Sequence, residues 1–207
     1  LPVLVGQDGF TITHSAEPVA LLDDDAVKRF VGEYAVPFPL LDVGRVTSQG
    51  PFAMPDSYFE LRHDLTRAQH AALEVIDDVT REFAEVSGRS YGAVEEYRLD
   101  GAHCALVAMG SSAGTAKDVV DELRADGAQV GLLQVRSFRP FPDAAVRHAL
   151  RYVADIAVLD RADSPGGRPP LFAEVAAATY GAAPVIRSFV YGLGGRDLHP
   201  EDIRGVF

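Results

Sequence analysis

From Cys104 onward the chain alternates short uninterrupted apolar runs with amphipathic stretches of helical period. "CALVAMG", "QVGLLQV", "DIAVLD" and "PVIRSFVYG" lack polar alternation, as strands buried on both faces do. Between them lie "SAGTAKDVVDELRADG", ending at Gly127, "PDAAVRHALRYV", with Pro142 in its first turn, and "PLFAEVAAATYG"; "HPEDIRGVF" closes the chain as a fourth helix. Strands separated by single helices predict a mostly parallel open sheet with helices on both faces, because right-handed crossovers place the helices outside.

The N-terminal part follows another rhythm. Leu1 to Val5 has the length and β-branched content of a buried strand, and "DDDAVKRFVGEY" predicts a helix beginning near Asp23 to Asp25, with Ala26, Phe30 and Val31 on one face. Four prolines (Pro37, Pro39, Pro51, Pro55) and Gly44 and Gly50 then break any regular element. This linker is apolar. Phe38, Leu40, Leu41, Phe52 and Phe59 are costly to leave in water, so the arm from Val36 to Phe59 is expected to lie along the sheet domain or a partner. From Thr66 to about Gly88, apolar residues recur at spacings of three and four and predict a helix. The sheet domain is expected to begin near Ala93.

Charge narrows the partners. Nineteen basic against 30 acidic residues give a formal net charge of −11 over 207 residues, which repels nucleic acid and anionic membranes. No run approaches the roughly 18 apolar residues of a membrane helix. The single cysteine, Cys104, sits in an apolar run, which fits a reducing, cytoplasmic setting and a core position.

Candidate chemistry is sparse. "MGSSAGTAK" joins a strand to a helix as a phosphate cradle does, but it matches neither the P-loop nor the dinucleotide pattern, so turn chemistry is favoured. In "YGLGGRD" turning is again the simpler reading, with Arg196 and Asp197 near the last helix. Arg136 and Arg139 in "VRSFRPFP", and Arg161 in "LDRADSPGG", follow strands and so emerge at the edge where open α/β sheets bind ligands. They can grip an anion or pair with acids across an interface, and the interface is favoured. The six histidines have no ligand spacing, so no metal site is expected. Spacing alone yields no catalytic constellation.

Taken in order, "PVLVGQDGF", "FELRHDLTRAQHAALEVIDDVTREFAEVSGRSY", "ALVAMGSSAGTAKDVVDELRADGAQVGLLQVRSFRPFP", "IAVLDRADSPGG" and "VYGLGGRDLHPEDI" resemble the later part of the α subunit of pyruvate:ferredoxin oxidoreductase and related 2-oxoacid:acceptor oxidoreductases. The resemblance implies three parts: residues 1–34, the end of a thiamine-diphosphate-fold domain; 35–92, a linker and connecting helix; and 93–207, a domain like the C-terminal domain of transketolases. Family members commonly carry Thr-Ser-His after Asp-Gly-Phe; here "DGFTITHS" displaces His14 by one position. Asp8, Phe10 and His14 would lie in a loop near the active site, and Arg136, Arg139, Arg161 and Arg196 would make anion or interface contacts. The family's catalytic residues match nothing here and are expected upstream of Leu1.

The implied reaction is oxidative decarboxylation of a 2-oxoacid, pyruvate first, with 2-oxoglutarate, branched-chain and aryl 2-oxoacids open. Its product is an acyl-coenzyme A, and its electrons go to ferredoxin. Thiamine diphosphate with Mg²⁺, and iron–sulfur clusters, belong to the assembled enzyme; this chain alone is expected to bind none of them. Partners would be the β, γ and δ subunits or their fused equivalents, with ferredoxin and coenzyme A met through the holoenzyme. Two rival readings are a non-catalytic docking module and a component of a transketolase-like or dehydrogenase E1-like thiamine enzyme.

Overall fold

A computed structural model describes residues 2–50, 52–182 and 184–207, which divide into two compact units: residues 18–90, and residues 2–17 with 91–207.

The first unit is a helical pair. Helix α1, Asp24–Val31, starts where the Asp23 carboxylate accepts the N–H groups of Asp25 and Ala26 at 3.0 and 3.3 Å. Helix α2, Tyr58–Ser87, stops at Gly88, whose positive φ of 69° lets its N–H close on the Ala84 carbonyl. The two helices meet through Phe30 and Phe83, ring centroids 5.6 Å apart. α2 begins eight residues before the expected Thr66. Its first turns are exposed throughout, so no burial periodicity marks them, and good helix formers such as Glu60, Leu61 and Arg62 suffice. In the arm, Phe38 lies under the Arg45 guanidinium at 4.4 Å, while Leu41 and Phe52 are 94% and 88% exposed.

The second unit carries a five-stranded sheet in the order β1-β3-β2-β4-β5. Its strands are β1 Val94–Tyr97, β2 Cys104–Ala108, β3 Val130–Val135, β4 Asp155–Asp160 and β5 Val185–Val190. All neighbours are parallel except β1, which runs antiparallel to β3. Helices α3 Ser112–Ala125, α4 Asp143–Ala149, α5 Pro170–Ala178 and α6 Pro200–Val206 fill the crossovers and the C-terminus. Alternate strand residues serve opposite cores. Ala105, Val107, Leu133, Ile156 and Val158 pack with Val146 of α4 and Leu171 and Val175 of α5; Leu106, Leu132, Ala157 and Leu159 pack with Val119 and Val120 of α3 and Ile203 of α6. The central strands β3, β2 and β4 are therefore covered on both faces, whereas β5, expected to be buried on both faces, is an edge strand whose residues are exposed or half-buried and include Arg187 and Ser188.

Two expectations are corrected. Pro2 to Val5 form no strand and are fully exposed, with Leu4 at 100%; an apolar run becomes a strand only beside one that completes its hydrogen bonds, and Leu1 lies outside the described residues. Conversely, "VEEY" forms the edge strand β1, which the pattern did not reveal. Charged residues such as Glu95 and Glu96 suit a sheet edge, where they discourage further pairing, and they break the apolar signal.

Gly131 of β3 marks a close approach: a Cβ there would lie 2.6 Å from the Arg98 carbonyl oxygen and 2.9 Å from the Leu99 side chain. Gly131→Ala should therefore destabilise the sheet unit by about 1–3 kcal/mol, read as a lowered urea midpoint at unchanged slope.

Candidate functional site

The winding of the sheet selects one end of it. From β2 the chain crosses to β3 on one side; from β4 it crosses to β5 on the other, so the reversal falls between β2 and β4. In open α/β sheets the crevice at the C-terminal ends of the strands flanking such a reversal is where ligands bind. Here it is framed by Gly110 and Ser111 after β2 and by Asp160 and Arg161 at the end of β4.

Asp8 stands in that crevice. Its carboxylate accepts the backbone N–H of Ser111 at the start of α3, and Arg161 Nη1 approaches it at 3.4 Å. Gly110, at φ +67°, leaves the necessary room, since a Cβ there would meet the carboxylate at 2.7 Å. Burial raises the Asp8 pKa, but the hydrogen bonds from Ser111 and the Arg161 charge outweigh it, so the carboxyl sits below its ordinary range. The N–H that "MGSSAGTAK" offered to an anion is thus held by the chain's own carboxylate. Arg161 also lies over Gly192, where a Cβ would be 3.2 Å from Nε.

Behind this pair, Asp160 points inward and is buried. Its two oxygens accept the N–H groups of Leu171 and Phe172 at 2.7 and 2.9 Å, tying the first turn of α5 to the end of β4 across the "RADSPGGRP" loop. Burial is the largest influence on its pKa and raises it despite those bonds. Tyr191, after β5, is half-buried, and burial raises its pKa too.

The other predicted residues are brought to the same edge but not to the same point, because β2 separates the loops after β3 and β4. Arg136 pairs with Glu95 of β1, which also accepts from Lys117 of α3 at 2.6 Å. Arg139 reaches Glu174 of α5 at 2.7 Å and donates to its neighbour Phe138's carbonyl at 2.7 Å. The three arginines therefore make three separate acid pairs and no shared basic patch. Arg196 is exposed beyond a short 3-10 turn, Leu193–Gly195. Phe10 is exposed at φ 65° and lies 4.7 Å from the His14 ring, whose Nδ1 is 2.8 Å from the Thr13 hydroxyl. Cys104 is half-buried at the start of β2, and burial pushes its thiol pKa up.

The role of Glu95 escaped sequence reasoning, since β1 itself did. Tyr191 could have been found, as a tyrosine directly after a parallel strand. Among the described residues no group of three or more His, Cys, Asp or Glu side chains could hold a metal ion, and no helix is long and apolar enough to cross a membrane.

The family profile "Pyruvate flavodoxin/ferredoxin oxidoreductase, thiamine diP-bdg" matches residues 1–81, and "Pyruvate:ferredoxin oxidoreductase core domain II" matches residues 102–203. The pyruvate synthase subunit PorA of Thermotoga maritima is 44% identical over 100% of this chain and 53% of its own length. PorA of Methanocaldococcus jannaschii is 43% identical with the same coverage. The chain thus spans about half the length of these relatives. A solved 2-oxoglutarate:ferredoxin oxidoreductase from Magnetococcus marinus superposes on 75% of this chain and 23% of its own, with a TM-score of 0.53 at 17% identity, a likeness of fold.

Around Glu95, burial pushes the carboxyl pKa up, but Lys117 and Arg136 pull it below its ordinary value. A depressed acid stabilises the fold above its unfolded pKa, and that stability is lost as pH falls through the folded one. Glu95→Gln should cost about 1–2 kcal/mol at neutral pH. In urea titrations at a series of pH values the gap from wild type should close on the acid side of the carboxylate range; a gap independent of pH would refute the ion-pair origin.

Proposed function

Because this chain belongs to the pyruvate:ferredoxin oxidoreductase family, we propose that it forms part of the α subunit of an enzyme that oxidatively decarboxylates pyruvate. The products would be carbon dioxide, acetyl-coenzyme A and reduced ferredoxin. The observation that carries this reading is the match to pyruvate synthase subunits over 100% of the chain, with the two family domains in order.

Thiamine diphosphate supplies the carbanion chemistry of such a reaction. In this reading the cofactor's metal-bound diphosphate is held elsewhere in the assembly, as the resemblance to the family implies. One cysteine cannot supply the thiolates of an iron–sulfur cluster. The diphosphate with its Mg²⁺, the clusters and the docking of ferredoxin and coenzyme A then belong to other parts of the assembly.

This chain's share is architectural. Residues 1–34 end the thiamine-diphosphate domain, 35–92 connect, and 93–207 form domain II, whose C-terminal edge carries the Asp8 turn and the arginine-bearing loops. Exposed Arg196 and the apolar side chains of the arm, Leu41 and Phe52 foremost, are free to meet other subunits. Arg136, Arg139 and Arg161 reach a partner only together with the acids they already hold, so they serve as neutralised pairs at a rim.

The test is purification of the full-length subunit with its native partners, followed by pyruvate- and coenzyme A-dependent reduction of ferredoxin. Activity in the complex, a cysteine-rich protein among the partners and no turnover by this chain alone are expected. A complex that shows no 2-oxoacid-dependent reduction would overturn the reading.

A further inference from the structure

Residues 2 to 20 form a long exposed strand of chain with a single exception, Asp8. Its carboxylate is 21% exposed where Val5 and Phe10 are 82% and 73%. Around it the backbone folds into a compact turn: the Asp8 carbonyl accepts from Ile12 at 3.3 Å, the Phe10 carbonyl accepts from His14 at 3.1 Å, and the Thr13 hydroxyl accepts the Phe10 N–H at 3.0 Å. The turn is internally bonded, and among the described residues Asp8 supplies its hydrogen bond and ion pair to the sheet. By family profile it belongs to the thiamine-diphosphate domain, which takes in residues 1–81; in the structure it is fastened to domain II.

We propose that Asp8 is a latch between the two family domains, closing the turn of residues 8–15 over the crevice between β2 and β4 through the Ser111 N–H and Arg161. Three features fit a seat made for a carboxylate. Gly110 at φ +67° leaves room for it, since a Cβ there would lie 2.7 Å from the carboxylate. The Ser111 N–H faces outward at the first turn of α3, where a negative charge is favoured. Arg161 passes over Gly192, whose lack of a side chain leaves room for it, since a Cβ there would lie 3.2 Å from Nε.

Closing the latch holds the turn that carries the tilted Phe10–His14 ring pair at the C-terminal edge of the sheet. Opening it frees the Ser111 N–H and Arg161 together and releases the turn from domain II. The groups facing Asp8 are Arg161, Ser111 and, at longer range, Tyr191.

The proposal uses the family assignment to name the two domains, and its test does not depend on activity. Hydrogen exchange would be followed in the full-length subunit within its complex, comparing wild type with Asp8→Ala and, by an independent route, Gly110→Ala, whose methyl group would evict the carboxylate. Exchange across residues 9–15 should rise about tenfold or more, the size expected for losing a charge-assisted hydrogen bond. Strands β2 and β4 should stay protected. Asp8→Asn, which keeps an acceptor for Ser111 but loses the Arg161 pair, should fall between. Exchange of residues 9–15 unchanged in Asp8→Ala would overturn the latch, as would a rise spread equally over the sheet, which would mark general destabilisation. These outcomes are read whether or not pyruvate is the substrate.

Discussion

A parallel strand with no water on either face sets the terms for the rest of the sheet unit. β2 pairs on both sides, with β3 and with β4, and its residues Ala105 to Ala108 are closed off from solvent. Such a strand cannot be reached by a hairpin, so each neighbour is joined through a helix, and the helices must lie on the two faces to cover them. From that follow the double core, the reversal of winding between β2 and β4, and the gathering of every strand-to-helix loop at one end. Whatever the chain contributes chemically stands on that end because the ladder leaves it nowhere else to go.

Charge is handled locally along this edge. The chain is strongly acidic overall, yet its arginines at the strand ends do not pool into a positive patch: Glu95, Glu174 and Asp8 each take one. Asp160 does the opposite, turning inward to hold the first turn of α5 while its neighbour Arg161 turns outward. Adjacent residues thereby fix the loop from beneath and the N-terminal turn from above. The result is an edge whose geometry rests on several part-buried polar bonds, each removable without touching the apolar core.

The α/β alternation is legible because buried parallel strands are largely apolar, which places β2, β3 and β4, while β5 is legible from its β-branched and aromatic residues although it is an exposed edge strand. Val94–Tyr97 is not, because an edge strand tolerates two glutamates and reads as a loop. Pro2 to Val5 misled for the converse reason: apolar content states a preference for burial, and only a neighbouring chain satisfies it. The arginines were located by following strand ends, but their partners were hidden, since Glu95–Arg136 and Asp8–Arg161 join residues 41 and 153 positions apart. Such contacts follow from topology and leave no local pattern. The family resemblance supplied the biochemical reading that periodicity and spacing could not.

The central claim is that the C-terminal edge of this sheet is the working edge of the subunit. Hydrogen exchange of the full-length protein in its native assembly, with and without added pyruvate and coenzyme A, tests it most directly. Protection should change in segments 109–112, 136–141, 160–168 and 191–197, and stay constant at the opposite edge, in 99–103 and 150–154. Changes confined to that opposite edge, with the strand-end loops silent, would contradict the account.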